Sequence, residues 1–320
     1  MSYVHAGGQS LFRRPGFPIR AVAVRGASTQ HMDGILNIDK PAGMTSHDVV
    51  GRVRRIAHQK RVGHAGTLDP DATGVLLVCL GQATRLSDYL AAEGKQYRAV
   101  LALGRTTTTE DASGEVLTEA DARAVTETDL AALLPRFTGD ISQIPPMVSA
   151  VHHEGKRLYE LARAGITVER TARTIRIDSL TLLDFTPGTL ATATLDIACG
   201  KGTYIRTLCA DLGAVLGVGG HMQSLRRTQV GVFTADAAAP LDELTDETLP
   251  ALLVSPAAAL AHWPAQTAAT EAAVGDIKAG RALRSDLPPG TEARILDASG
   301  ALIALGKSDG EHLRPFKVFV

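Results

Sequence analysis

The sequence predicts a folded chain of mixed α and β structure in two parts: a larger one in which strands and helices interleave, then a small β-barrel. Three observations carry this. At 320 residues the chain is about two domains long and has ample material for a buried core. Hydrophobic residues make up 45% and charged residues 21% of it, which excludes disorder for the bulk of the chain. Apolar spacing alternates between period two and the helical period up to about residue 250, then settles into short runs between evenly placed glycines.

Residues 1–32 carry Arg13, Arg14, Arg20 and Arg25 with no acid before Asp33. Pro15, Pro18 and several glycines interrupt them, and no continuous apolar segment for secretion is present, so they read as a flexible basic arm. Gly34 to Lys40 alternates as a short strand closed by Pro41. Ser46 is a good N-cap for a helix whose stripe is Val49, Val50, Val53, Ile56 and Ala57. Arg52, Arg54 and Arg55 stand off that stripe, as a solvated face or a phosphate-contacting one; Lys60 and Arg61, with no acid before Asp69, favour the second.

Gly63 to Gly74 is a glycine-punctuated loop feeding the continuous apolar run Val75 to Leu80, a strand buried on both faces. Thr84 to Ala92 reads as a helix and Gln96 to Leu103 as a strand. An acidic, threonine-rich connection spans 105–122, followed by a helix at 126–135. Pro145 and Pro146 make 143–150 a rigid extended segment, with a helix over 156–164 and strands over 173–184 and 191–199. The turn Gly200-Lys201-Gly202 leads, with Thr203 as N-cap, into a helix with Ile205, Leu208, Cys209 and Leu212 on one stripe, ended by Gly213. Met222 to Phe233 closes the larger part. Pro240 to Pro264 is an alanine-rich, acidic junction, and turn spacing over 270–320 gives the barrel.

The formal net charge is −1, from 33 basic and 34 acidic residues, which taken alone argues against a nucleic-acid partner. Along the chain the balance alternates: +6 over 1–70, −5 over 71–150, +3 over 151–230 and −5 over 231–320. A basic face could form where the first and third stretches meet. Cys79, Cys199 and Cys209 form no C-x-x-C pair, which suits reduced thiols in a cytoplasmic protein. No apolar run is long enough to span a membrane.

Several chemistries are excluded by spacing. Gly200-Lys201-Gly202-Thr203 lacks the phosphate-loop pattern, no H-E-x-x-H or EF-hand run occurs, and adjacent His152 and His153 point in different directions. A serine nucleophile elbow is absent. What remains is the loop containing His64 and Asp69. An Asp before Pro is often a helix N-cap, but Thr73-Gly74 and the buried strand leave no room for a helix, so Asp69 needs another role.

Five ordered motifs now coincide: Gly34-Ile-Leu-Asn-Ile-Asp-Lys-Pro41, Gly63-His-Ala-Gly-Thr-Leu-Asp-Pro-Asp-Ala-Thr-Gly74, Lys95-Gln-Tyr97, Gly202-Thr-Tyr-Ile-Arg206 and Leu225-Arg-Arg227. Spread over about 200 residues, they resemble the motif set of the TruB-type tRNA pseudouridine synthases. The resemblance implies an α+β pseudouridine synthase fold over 33–250 with a largely antiparallel mixed sheet. It further implies that 251–320 holds a linker and a PUA-like RNA-binding barrel. The implied reaction is cofactor-free isomerisation of uridine 55 in the T loop of tRNA, with the T-arm as partner, no obligatory protein partner, and a monomeric enzyme.

By the same match Asp69 is the carboxylate that attacks the sugar or stabilises charge at C1′, Arg206 the cation that keeps it ionised, and Tyr97 the ring that stacks on the base and takes the C5 proton. Tyr204 and Leu225 line the base pocket, His64 fills the space a flipped base leaves, and Lys201 contacts backbone phosphate. Ala65, Asp71, Val148 and His152 depart from the usual pattern, at positions that tune RNA contacts rather than reaction type. Two rival readings are a guide-RNA-dependent catalytic subunit related to dyskerin and a tRNA-binding or folding module without turnover. The short C-terminal part opposes the first, and intact Asp69, Tyr97 and Arg206 oppose the second.

Overall fold

In the computed structural model the described residues are 32–147, 149, 152, 153, 156, 157, 165, 166 and 168–319. Apart from Met32, the basic arm lies outside them, as do residues 158–164 of the helix expected over 156–164. Lys156–Arg157 is instead a short strand paired antiparallel with His152–His153.

The principal strands of the main sheet are β1 (Gly34–Lys40), β2 (Val62–Ala65), β3 (Thr73–Leu80), β4 (Lys95–Leu103), β5 (Gly139–Gln143), β6 (Arg173–Thr186), β7 (Thr192–Cys199) and β8 (Gly220–Val230). They run in the order β1-β3-β8-β4-β7-β6-β5, with β2 also on β3 and Ala239–Pro240 on the outer edge of β1. Pairing is antiparallel throughout, except for the Ala239–Pro240 edge and the β3–β8 seam. That seam is short, matching only Thr73 with Arg226 and Gly74 with Arg227. The sheet is therefore the expected largely antiparallel one, built as two halves that touch where the glycine-rich loop enters β3.

The apolar run of β3 explains itself by its two faces. Leu76, Val78 and Leu80 enter one core, with Val49, Val50 and Val53 of α1 (Ser46–Ile56) and Leu208 and Leu212 of α4 (Ile205–Val215). Val75, Leu77 and Cys79 enter a second core, with Leu90 of α2 (Ser87–Ala92). Helix α3 (Glu127–Leu133) covers the far half through Leu130 and Leu133.

Several boundaries differ from the sequence reading. Helix α1 is capped by Thr45, in a reciprocal capping box with Asp48, rather than by Ser46, whose hydroxyl turns inward. The N-cap of α4 is Tyr204; the Thr203 hydroxyl donates to the Gly200 carbonyl at 3.2 Å instead. This helix continues past Gly213, where a side chain would collide with the backbone of Gly219 and Gly220, so the glycine permits close packing against β8. A 3₁₀ turn over Gly81–Leu86 precedes the short α2, and the 105–122 connection contains a hairpin of Arg105–Thr107 with Val116–Glu119.

The C-terminal barrel comprises β9 (Ala265–Ala268), α5 (Glu271–Lys278), β10 (Leu283–Arg284), β11 (Glu292–Asp297), β12 (Leu302–Ser308) and β13 (His312–Val318), in sheet order β9-β11-β12-β13-β10. The Gln266 side chain donates to the Arg284 carbonyl, bringing the two edge strands together so that the sheet nearly closes. Its own core is Ala268, Ile277, Ala293, Ile295, Ile303 and Leu313. Leu305 and Phe319 belong instead to the core shared with β3 and α2. At that junction Tyr89 meets Trp263 edge-on at 5.9 Å and receives Lys317 Nζ over its ring at 4.8 Å. Among the described residues no helix is long and apolar enough to cross a membrane.

Candidate active site

The loop between β2 and β3 is hung from three side chains beneath it. Buried Arg227, on β8, donates from Nη2 to the Gly66 carbonyl at 3.1 Å, from Nη1 to Thr67 at 3.2 Å and from Nε to Val75 at 2.7 Å. The Ser46 hydroxyl accepts from the Leu68 amide at 2.9 Å and donates to its carbonyl at 3.1 Å. Lys40 Nζ, fully buried, donates to the carbonyls of Pro41, Met44 and Pro70 at 2.6 to 2.8 Å. The Asp69 carbonyl accepts from the Ala72 amide at 3.2 Å. The charge-assisted bonds from Arg227 and Lys40 contribute about 1.5–3 kcal/mol each, so the backbone on either side of Asp69 is fixed while its side chain lines the open cleft.

That cleft has a volume of about 1160 Å³ and gathers Asp69, Tyr97, Tyr204, Arg206, Leu225 and Arg227 in its lining. Asp69 Oδ2 lies 3.1 Å from Arg206 Nε; the arginine side chain is 7% exposed and the carboxylate 40%. Arg206 also reaches Asp111 Oδ2 at 3.4 Å and the Thr109 carbonyl at 3.4 Å through Nη1. Asp111 is held in turn by the Thr109 hydroxyl at 2.6 Å and by the Ser113 hydroxyl and amide at 2.6 and 3.0 Å. Burial pushes the Asp69 carboxyl above its ordinary value, Arg206 and Lys40 pull it back, and Asp111 and Asp71 add to the rise. The result is a part-buried carboxylate whose charge desolvation opposes and two buried cations, Arg206 foremost and Lys40 after it, support, a suitable state for a nucleophile or charge stabiliser.

Tyr97 stands on β4 directly opposite Arg227 of β8. Burial raises its phenol above the usual value, while the Arg227 guanidinium, through its charge and a side-chain hydrogen bond, works the other way. Half-buried Leu225 sits two residues before Arg227 on the same strand face. The backbone of Tyr204, at the head of α4, is clamped by Gln143, whose Oε1 accepts from the Tyr204 amide at 2.9 Å and whose Nε2 donates to its carbonyl at 3.0 Å.

The remaining two expected residues lie apart from the cleft lining. His64 is half-buried on β2, with a buried Nδ1 that lacks a hydrogen bond; burial and the charges of Arg227 and His47 lower its pKa, favouring the neutral ring. Lys201 is exposed in the turn before α4, where its neighbours Gly200 and Gly202 face the cleft. Among the described residues no three His, Cys, Asp or Glu side chains converge as a metal site requires.

Sequence reasoning gave no role in the site to Lys40, Ser46, Asp111 or Arg227. Arg227 carried a signal: it alternates with Leu225 on a strand, so both must face the same side, and a cation there must enter the loop or the cleft. Asp111 carried little, as one acid among several in a connection that reads as solvated.

Residues 54–205 match the family model described as TruB family pseudouridylate synthase (N terminal domain), and 206–252 match that of the tRNA pseudouridylate synthase B C-terminal domain. The chain is 52% identical over 246 residues to a protein of Symbiobacterium thermophilum named tRNA pseudouridine synthase B, covering 77% of this chain and 82% of that one. It is 46% identical to the protein of the same name in Mycobacterium ulcerans, over 88% of this chain and 93% of that one. Among solved structures, a chain of a Cbf5-Nop10-Gar1 complex superposes with a TM-score of 0.69 at 28% identity, over 90% of this chain and 85% of that one.

Proposed function

This chain belongs to the TruB family of pseudouridine synthases, and on that premise we propose that it isomerises uridine 55 in the T loop of tRNA to pseudouridine. The carrying observation is the Asp69 carboxylate ion-paired with buried Arg206 in a cleft that also presents Tyr97. The uracil must break its N1–C1′ bond, turn, and rejoin C1′ through C5, losing a proton at C5 and gaining one at N1. Asp69 acts as a carboxylate on the sugar, compensating the positive charge that develops at C1′ as N1 leaves. Arg206 keeps that carboxylate ionised in a poorly solvated cleft. Tyr97 stacks on the base and relays the C5 proton; because burial favours its neutral form, the Arg227 guanidinium supports any passing phenolate.

A uridine folded into a loop cannot reach this cleft, so the base is extruded, at a cost of a few kcal/mol recovered by stacking and pocket contacts. Tyr204 and Leu225 line the base pocket, His64 fills the vacated space, and Lys201 meets backbone phosphate at the cleft's outer edge. In this reading residues 33–250 form the catalytic unit and 251–320 the linker and PUA-like RNA-binding unit. The enzyme works as a cytoplasmic monomer, without guide RNA, cofactor or obligatory protein partner. The relatives named for tRNA are more similar to it, at 52% identity for the Symbiobacterium protein, than the chain of the Cbf5-Nop10-Gar1 complex, at 28%, which favours the stand-alone form.

Two measurements test this. Purified protein with an unmodified T-arm transcript and no guide RNA should form pseudouridine; tight binding without product would overturn the assignment. Asp69→Asn should abolish turnover while leaving tRNA affinity within a few fold, whereas substantial residual activity would displace Asp69 from its role.

A further inference from the structure

The N-terminal turn of α4 carries Arg206, yet its N-cap residue, Tyr204, provides no side-chain cap. Two side chains from elsewhere grip this turn on either side of Ile205-Arg206. Gln143, 3% exposed at the end of β5, uses both halves of its amide on both backbone groups of Tyr204. Pro145 and Pro146 follow it, so the strand cannot extend its own ladder to α4, and one side chain makes the pair of bonds a neighbouring strand would make.

On the other side, the Thr207 hydroxyl donates to Glu110 Oε2 at 2.6 Å. Glu110 has φ of +63°, a left-handed conformation that glycine adopts freely and that costs other residues on the order of 1–3 kcal/mol. Its carbonyl accepts from the Met222 amide at 2.9 Å, which fastens the hairpin loop to β8. A glutamate at this strained position has a side-chain task, and Thr207 supplies it. Asp211, one turn further along α4, also faces Glu110, and burial followed by that charge pushes its carboxyl up to about 6.

We propose that Gln143 and Glu110 are positioning residues that fix the first turn of α4 from two directions and thereby hold the Arg206 guanidinium against Asp69; this rests on the reading of Asp69 and Arg206 given above. Neither residue touches the reacting atoms. Both act by setting the 3.1 Å separation of Arg206 Nε from Asp69 Oδ2. Displacing a catalytic group by about 1 Å can cost on the order of 10²-fold in rate. The groups facing Asp69 are Arg206 from α4, Asp111 from the hairpin, Lys40 from β1, Tyr97 from β4 and Asp71 from its own loop. A retreat of Arg206 removes the leading opposition to desolvation, so the carboxyl would titrate at higher pH.

The test uses the full chain with T-arm transcript and the variants Gln143→Leu, Thr207→Val and Thr207→Ser, measuring turnover, RNA affinity and the pH profile of kcat/KM. Gln143→Leu and Thr207→Val should each lower kcat by about tenfold or more with RNA affinity within about threefold, and move the acidic limb to higher pH. Thr207→Ser, which keeps the hydroxyl, should restore both. Turnover within about twofold of the parent, or a slower enzyme whose acidic limb has not moved, would overturn the proposal. Should Gln143→Leu lose its melting transition, Thr207→Val, similar in shape to the parent, decides alone. Asp69→Asn run in parallel separates the two levels: residual turnover there sinks the catalytic reading, and an inactive Asp69→Asn with unmoved limbs sinks only the positioning role.

Discussion

Two buried arginines flank the loop that carries Asp69 and are used in opposite ways. Arg206, on α4, directs its guanidinium at carboxylates, Asp69 at 3.1 Å and Asp111 at 3.4 Å. Arg227, on β8 and 1% exposed, spends its guanidinium on the carbonyls of Gly66, Thr67 and Val75. The first cation tunes a charge, and the second builds the platform on which that charge is carried. Burial makes both costly, and each offsets that cost differently: ion pairs on one wall, loop geometry on the other.

Substituting each arginine should separate these uses. Arg206→Met should cost on the order of 10²–10³ in turnover and shift the melting temperature little, because Asp69 keeps contact with solvent and Asp111 keeps its three hydrogen bonds. A large loss of stability with preserved turnover would erase the distinction. Arg227→Met strands three acceptors, the carbonyls of Gly66, Thr67 and Val75, at about 1–3 kcal/mol each. It should therefore lose at least about 3 kcal/mol of stability, with a melting temperature lower by roughly 2–4 °C per kcal/mol. Lys40→Met, which frees three carbonyls beside the same loop, should follow Arg227 rather than Arg206 in a thermal melt.

The smallest effect concerns Lys95, a fourth buried cation near the cleft, whose pKa burial lowers to about 8. Between about 8 and the ordinary lysine value near 10.4, the folded chain has released this proton and the unfolded chain still holds it. Stability should then rise with pH across that window. The rise, measured by denaturant titration at several pH values, should be weaker in Lys95→Met. An unchanged slope would place Lys95 with the solvated lysines.

The family and its reaction were legible because a few short motifs recur in order, and Asp69 stood out as a candidate because it had no helix to cap; the structure sets it beside Arg206. The barrel was legible from its turns. What stayed hidden depends on contacts distant in sequence. Gly139–Gln143 has too few apolar residues to announce a strand, and it exists because Arg173–Ile177 pairs with it. The alternating charge blocks were visible, but their purpose was not. Cations of the third block do meet the first, yet Arg227 is buried under the loop and Arg226 is matched to Asp39 at 2.8 Å. RNA affinity should therefore owe less to phosphate charge than to pocket shape, with a shallow salt dependence.

The seam where Thr73 and Gly74 meet Arg226 and Arg227 has a consequence for how this sequence can drift. Gly74 has φ of +99°, and a methyl group there would fall inside the contact radius of the Arg227 backbone. Any replacement must therefore push apart the two halves of the sheet at the strand that carries the platform arginine. In a saturation library selected for activity, position 74 should tolerate no side chain at all, while Gly63, with open space around it, should accept several. Gly74 is thus intolerant of mutation although it performs no chemistry.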